Sequence, residues 1–207
     1  MKATEQLKKE HSAVLLMLQV LEKLAEQIGQ GDLSPAKDLP AVIDFLKGFV
    51  DRCHHGKEEE WLFPALEAAG IPRQAGPVGV MLHEHEAGRL CIREMLNTLD
   101  RLETQEGRTA LQEAAQNYIQ LLRTHITKEN EVLFKMADLK LTAAQQDDLY
   151  EKFEQLELER MGPGQHEEYH KLLHQLMEKY GVKDLASCEN DCAVSSRGAK
   201  RRGDLNR

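Results

Sequence analysis

The sequence predicts an all-α fold: an up-down-up-down four-helix bundle with two additional C-terminal helices and a disordered tail. Charged residues make up 30% of the 207 residues and aromatic residues only 5%, which is typical of helices with exposed charged faces. Apolar residues recur at helical spacing over four long segments, and short connections separate these segments. Long helices with short connections favour antiparallel neighbours around a shared core.

The four bundle helices are predicted at residues 4–28, 40–69, 78–103 and 108–137. The first is expected to end at Gly29. Pro40 suits the first turn of the second helix, and Gly70 suits its C-terminal cap. Pro64 lies inside the second helix and is expected to kink it, because proline lacks a backbone donor and clashes with the preceding turn. Gly107 separates the third helix from the fourth.

Two shorter helices are predicted at residues 142–160 and 165–180, on either side of a Gly-Pro-Gly turn. Beyond Gly181 the apolar pattern is lost, which predicts a mostly disordered tail. The predicted domains are therefore a bundle over residues 1–138, a helical extension over residues 139–181 and a tail over residues 182–207. Cys188 and Cys192 lie in this tail. The spacing of the four cysteines does not indicate a disulfide framework.

Charge and hydropathy exclude several classes of protein. The net charge is -8, so a nucleic-acid-binding surface is not expected. No apolar run approaches the roughly 18–20 residues that span a bilayer. The N-terminal residues lack the apolar segment that is typical of a signal peptide. We therefore predict a cytoplasmic protein with neither a membrane nor a nucleic acid as its partner.

One pattern, His-x3-Glu-x3-Leu-Phe, occurs twice in the chain. Residues 54–63 read HHGKEEEWLF, and residues 125–134 read HITKENEVLF. The His and Glu of each copy are four residues apart, so they share one helix face. Both copies lie among apolar residues, where a charged carboxylate is costly unless it is paired or bound to a metal. The pairs His54–Glu58 and His125–Glu129 are therefore candidate metal ligands.

Helical periodicity chooses among the remaining histidines. His54 shares its face with apolar residues and His55 shares its face with charged ones, so His54 is predicted to point into the core and His55 toward water. On the third helix His85 aligns with apolar residues and is preferred over His83. With His11 on the first helix, four imidazoles and two carboxylates are predicted to converge inside the bundle.

Such a cluster needs compensating positive charge, which two metal ions supply. Imidazole and carboxylate ligands without a thiolate suit iron, manganese or zinc. Two carboxylates can each bridge both ions, and four imidazoles shared between the ions leave open positions for oxygen species, nitric oxide or solvent. Ferritin-like di-iron bundles use Glu-x2-His instead, with the opposite order and a spacing of three.

These segments resemble the hemerythrin-like, HHE cation-binding domain proteins. The matching stretches are EHSAVLLML, HHGKEEEWLFPAL, HEHEAGR and HITKENEVLF, within about residues 5–137. The resemblance implies a carboxylate-bridged di-iron site, with manganese or zinc less favoured, and its ligands would be His11, His54, Glu58, His85, His125 and Glu129. It also implies a protein that binds or reacts with oxygen, peroxide or nitric oxide, in a stress response or in sensing.

The sequence departs from the oxygen-carrying members of that family. They have His-x3-His on the third helix, whereas Arg89 stands four residues after His85. The ligand set looks more like the proteins that repair iron-sulfur centres and like bacterial iron or oxygen sensors. Turnover of an oxidant, an iron-binding regulatory module without turnover and a structural zinc protein all stay open. No catalytic residue and no protein partner are assigned.

A stripe of histidines follows the bundle in the segment HEEYHKLLHQL. His166, His170 and His174 recur at a spacing of four. The favoured interpretation is packing through Tyr169 and the neighbouring leucines, with the histidines near the surface. A second metal site is the alternative.

Overall fold

A computed structural model describes residues 2–183, which form six helices and no strand. These are α1 (Ala3–Gly29), α2 (39–68), α3 (Pro77–Thr98), α4 (105–140), α5 (Ala143–Met161) and α6 (Gln165–Tyr180). The predicted all-α class is confirmed. The predicted tail beyond residue 183, which includes Cys188 and Cys192, lies outside the described residues. Over residues 2–183 no helix has the length and apolar character needed to cross a membrane, and a cytoplasmic location stays a prediction.

The core of the bundle consists of two apolar clusters, one above the other along the helix axes. The larger cluster includes Leu18, Phe45 and Tyr118, and the smaller includes Phe63 and Phe134. Each of the four bundle helices contributes to both clusters. The predicted ligands lie at the level between them, so apolar layers cover the polar site from both ends.

Wide π-helical turns interrupt α2 and α4 beside the repeated motif. In α2 they cover Leu46–His55 and Glu58–Leu62, and in α4 one covers Glu129–Leu133. A π turn bonds each residue to the fifth residue along instead of the fourth, and such turns are frequent at functional sites. Pro64 follows the second π turn and stands in the first turn of the α-helical segment Phe63–Ala68, where a missing N–H costs little.

The two C-terminal helices pack against the bundle. Tyr169 of α6 joins the larger apolar cluster, and Phe153 of α5 joins the smaller one. The approach of α6 is so close that a Cβ on Gly48 would lie 2.0 Å from the Tyr169 hydroxyl oxygen. Val182 is buried, and its N–H donates to the Met177 carbonyl. The packed chain therefore continues to the residue at which the tail was predicted to begin.

Candidate metal centre

Seven buried side chains meet between the two apolar clusters, and they form two overlapping groups of potential ligands. The first group is His11, His54, Glu58 and Glu129; the second is His55, Glu58, His85 and His125. Within each group one ligand atom per residue lies within 4.8 Å of the others. All six residues predicted from the sequence are brought together here. Their role as ligands stays a prediction.

The imidazoles meet in pairs through their Nε2 atoms. His54 Nε2 lies 3.0 Å from His11 Nε2, and His85 Nε2 lies 3.2 Å from His125 Nε2. Neighbouring ligand atoms have about this separation when an ion with bonds of about 2.1 Å lies between them.

Each carboxylate reaches both imidazole pairs. Glu58 places Oε1 3.6 Å from His54 Nε2 and Oε2 3.4 Å from His85 Nε2. Glu129 places Oε2 3.1 Å from His11 Nε2 and 3.3 Å from His125 Nε2. This is the placement that two bridging carboxylates require.

The buried polar atoms at the centre of the cluster fit bound cations. All four carboxylate oxygens of Glu58 and Glu129 are buried, and none accepts a well-directed hydrogen bond; His55 Nε2 is in the same situation. Leaving one such atom unsatisfied costs about 1–3 kcal/mol, and more when it is charged. Burial and the neighbouring Glu129 raise the pKa of Glu58 well above its ordinary value. A cation would satisfy all five atoms and remove the repulsion between the two carboxylates.

Burial also keeps two of the imidazoles in the neutral form that binds metals. It lowers the pKa of His54 to about 4 and that of His55 well below its ordinary value. A neutral imidazole has a free lone pair on one nitrogen, whereas both nitrogens of the charged form carry protons.

Each of the five imidazoles has a polar partner behind it. The Nδ1 atoms face Asn130 (2.9 Å from His11), Glu10 (2.7 Å from His54), Asp51 (3.4 Å from His55), Glu59 (2.6 Å from His85) and Glu84 (3.0 Å from His125). When Nδ1–H donates to an oxygen, the Nε2 lone pair points at the cluster centre. Partners of this kind orient metal-binding histidines and raise their basicity.

The contacts follow an approximate twofold symmetry that relates α1 and α2 to α3 and α4. Glu10 precedes His11 in the sequence but bonds His54, and in the same way Glu84 precedes His85 but bonds His125. Beside each of these glutamates lies the lysine of a His-x2-Lys-Glu segment: Lys57 contacts Glu10, and Lys128 contacts Glu84. The repeated motif therefore marks two half-sites of one centre.

One prediction about the site is wrong. His55 was expected to face water, but its side chain is buried, and its ring stacks on His85 with centroids 3.8 Å apart. The π turn Leu46–His55 explains the difference, because its wider turn brings adjacent positions closer in angle than an α-helix does. The preference for His85 is confirmed, since His85 is buried and His83 is exposed.

Arg89 does not enter the cluster. Its guanidinium donates to Asp51 and to Glu59, both at 2.8 Å. Asp51 and Glu59 face the Nδ1 atoms of His55 and His85, so Arg89 contacts two of the three carboxylates that support the imidazoles of the second group. His55 of α2 brings a fifth imidazole to the cluster, on the side where the third helix has Arg89.

Helical periodicity did not predict the polar residues that face the Nδ1 atoms of the histidines, and it did not predict the burial of His55. Four of these partners are chain neighbours of predicted ligands: Glu10, Glu59, Glu84 and Asn130. Polar residues adjacent to buried ligands are a usable signal, but the sequence does not show which helix each of them faces.

The arrangement defines a class: a four-helix bundle with an interior His/Glu metal centre. The family model for the hemerythrin HHE cation binding domain matches residues 2–137. The chain therefore belongs to the hemerythrin HHE cation-binding domain family, as its motifs suggested.

Several curated proteins resemble the chain. An uncharacterized protein of Mycobacterium tuberculosis is 25% identical over 89% of this chain and 72% of its own length. The iron-sulfur cluster repair protein YtfE of Edwardsiella ictaluri is 32% identical over 61% of this chain and 59% of its own length. The iron-sulfur cluster repair protein DnrN of Neisseria gonorrhoeae is 30% identical over 62% of this chain and 84% of its own length. No solved structure matches the chain significantly.

Replacing His55 by alanine is expected to reduce the metal content by about one ion per chain. The second group would lose one of its three imidazoles, while the first group, which does not include His55, would be unchanged. Metal analysis of the purified variant tests this. His83→Ala is the matched control, because His83 is an exposed histidine that belongs to neither group. An unchanged metal content in His55→Ala would mean that His55 only packs against the cluster.

Proposed function

We propose that this protein binds two iron ions and that the centre binds or reduces small oxidants, such as oxygen, peroxide or nitric oxide, in a stress response. The observation that carries the proposal is the position of Glu58, which belongs to both groups of ligands. A carboxylate shared in this way suits a bridged pair of ions. The ligand set, imidazole and carboxylate without thiolate, suits iron more than softer metals. When bound, iron would supply electrons and open coordination positions for an oxidant.

The residues of the centre restrict what can react there. The seven residues are each no more than 3% exposed, and apolar layers lie above and below them. Such burial favours a reactant of only a few atoms. The names of the YtfE and DnrN relatives support a setting in which iron-sulfur clusters are damaged and repaired.

The regulatory alternative, an iron-binding module without turnover, also has a specific observation in its favour. Lys57 of α2 contacts Glu10, the partner of His54, and also Glu157 of α5. Ion pairs through Lys57 therefore connect the partner of His54 to α5. Under this alternative, metal binding would control how tightly α5 packs against the bundle.

Protein purified anaerobically from iron-replete cells is expected to contain about two irons per chain. Stopped-flow mixing of the reduced protein with oxygen, peroxide or nitric oxide then distinguishes turnover of an oxidant from regulatory iron binding. A rapid spectral change that repeats over several cycles of reduction supports turnover, whereas one stoichiometric change without turnover supports the regulatory module. One zinc per chain and no iron would reject both forms of the proposal.

A further inference from the structure

A second cluster of imidazole and carboxylate groups lies outside the metal centre, where α6 meets α5. His166 and His170 are four residues apart on α6, and their Nε2 atoms lie 2.9 Å from each other. On the other side of the His166 ring, Nδ1 lies 2.7 Å from Glu157 Oε1. The segment reads His-Glu-Glu-Tyr-His, a His-Glu-x-x-His pattern. On a helix this spacing places two imidazoles on one face, where they can bind zinc.

The cluster reproduces the features of the main centre. In both places two Nε2 atoms converge to about 3 Å, and a carboxylate stands behind the opposite nitrogen of a ring. At 2.7 Å the Glu157 carboxylate favours the tautomer with its proton on Nδ1 of His166, although the contact is not a well-directed hydrogen bond, and Nε2 is then free to bind a metal. Phe49 packs edge-on against both rings, at centroid distances of 5.3 Å from His166 and 5.8 Å from His170. The two imidazoles are thus held in one orientation before any ligand arrives.

The surroundings of the two imidazoles favour a cation that keeps open coordination positions for further ligands. A cavity of about 420 Å³ borders the two imidazoles, and its lining includes Glu10, Glu154, Glu157 and Glu167, with Lys9 as a basic member. The four carboxylates outnumber the two lysines beside them, Lys9 and Lys57, so the cavity keeps a negative field. A metal held by only two protein nitrogens can take water or a carboxylate from the cavity. His166 and His170 are partly exposed, so a hydrated ion reaches them from solvent.

We propose that His166 and His170 form a second binding site, for one transition-metal dication of the zinc class, with Glu157 orienting His166 from behind. The site is separate from the centre that holds Glu58 and Glu129, and it does not depend on iron filling that centre. His174 is exposed one turn further along α6 and is not part of it. The imidazole donors select zinc, nickel or copper over magnesium and calcium, which prefer oxygen ligands.

The test is a titration with zinc ions of the full chain whose iron content has been measured beforehand. Calorimetry is expected to show one zinc per chain beyond the metal already present, without release of iron. His170→Gln is expected to weaken this binding at least 10-fold, and His174→Gln, the matched control on the same helix, is expected to leave it unchanged. Cobalt ions in place of zinc should give an absorption band that His170→Gln abolishes.

The difference between wild type and His170→Gln reports on this site whatever metal fills the main centre. Equal zinc affinity in the two proteins would overturn the proposal, as would the absence of any ion beyond those in the main centre. An extra ion that persists in a His166→Gln/His170→Gln double variant would also overturn it and would assign that ion to another part of the chain.

Discussion

Removal of the metal is expected to lower the melting temperature by roughly 10 °C, and Glu58→Gln is expected to abolish most of this dependence. An ion present at about 1,000 times its Kd stabilises the fold by about 4 kcal/mol, and a chain of this size gains about 2–4 °C per kcal/mol. Glu58 is the residue that both groups of ligands share. Its replacement by a neutral amide of the same shape therefore weakens both ion positions together.

The same substitution is expected to raise the melting temperature of the metal-free protein. Without metal, Glu58 and Glu129 are two buried carboxylates whose oxygens have no well-directed donor. Glu58 avoids being a buried charge beside Glu129 only by taking up a proton, which is why its pKa is raised, whereas the amide that Glu58→Gln introduces is neutral at every pH and could donate to Glu129. Glu60→Gln is the control, since Glu60 is an exposed carboxylate two residues further along α2. Scanning calorimetry with and without chelator measures all three proteins. If metal-free Glu58→Gln melted below metal-free wild type, the repulsion between the carboxylates would not be the destabilising element.

Lys57→Met is expected to cost about 3–5 kcal/mol of unfolding free energy, whereas Lys128→Met should cost about 1 kcal/mol or less. The two lysines occupy equivalent positions in the repeated motif, each contacting the glutamate behind a histidine. Lys57 has no exposed side-chain surface and lies between Glu10 at 2.6 Å and Glu157 at 2.7 Å. Its removal leaves two carboxylates facing each other without a cation. The Lys128 side chain is 41% exposed, so water replaces its contact.

Urea unfolding of the two variants provides the measurement, with the midpoint and slope compared to wild type. A second variant, Lys57→Met/Glu157→Gln, should recover part of the loss because it removes one of the two stranded charges. Equal costs for Lys57→Met and Lys128→Met would contradict the prediction, because burial is the difference on which it depends.

The sequence predicted the features that depend on residues close together along the chain. Six helices follow from apolar spacing and from Gly and Pro boundaries. His54, Glu58, His125 and Glu129 follow from a repeated pair on apolar faces, since the cost of a buried carboxylate makes such a pattern informative. His85 was found because it lies on the apolar side of its helix, and His11 because it is the one histidine of the first helix.

The features that were missed depend on non-ideal turns or on contacts between distant segments. The prediction for His55 was wrong because helical periodicity presumes α-helical angles, and the π turn in α2 departs from them. The burial of Lys57 could not be read locally, because the residue that covers it, Glu157, is 100 residues away on α5. Arg89 was compared with a ligand position, yet its guanidinium donates to Asp51 and Glu59 of α2 and to Glu86 of α3.

The twofold relation between the half-sites is imperfect, and two bound ions would therefore fill their positions in a definite order. The position that contains His55 has three imidazoles, each with a carboxylate on its outer nitrogen, although the contact to Asp51 is long. The other position has two imidazoles, and His11 has only the neutral amide oxygen of Asn130 behind it. More imidazoles and more basic imidazoles bind a dication more tightly. At scarce supply, the protein would then exist as a singly loaded species with its ion beside His55, and the His11 position would fill only as availability rises.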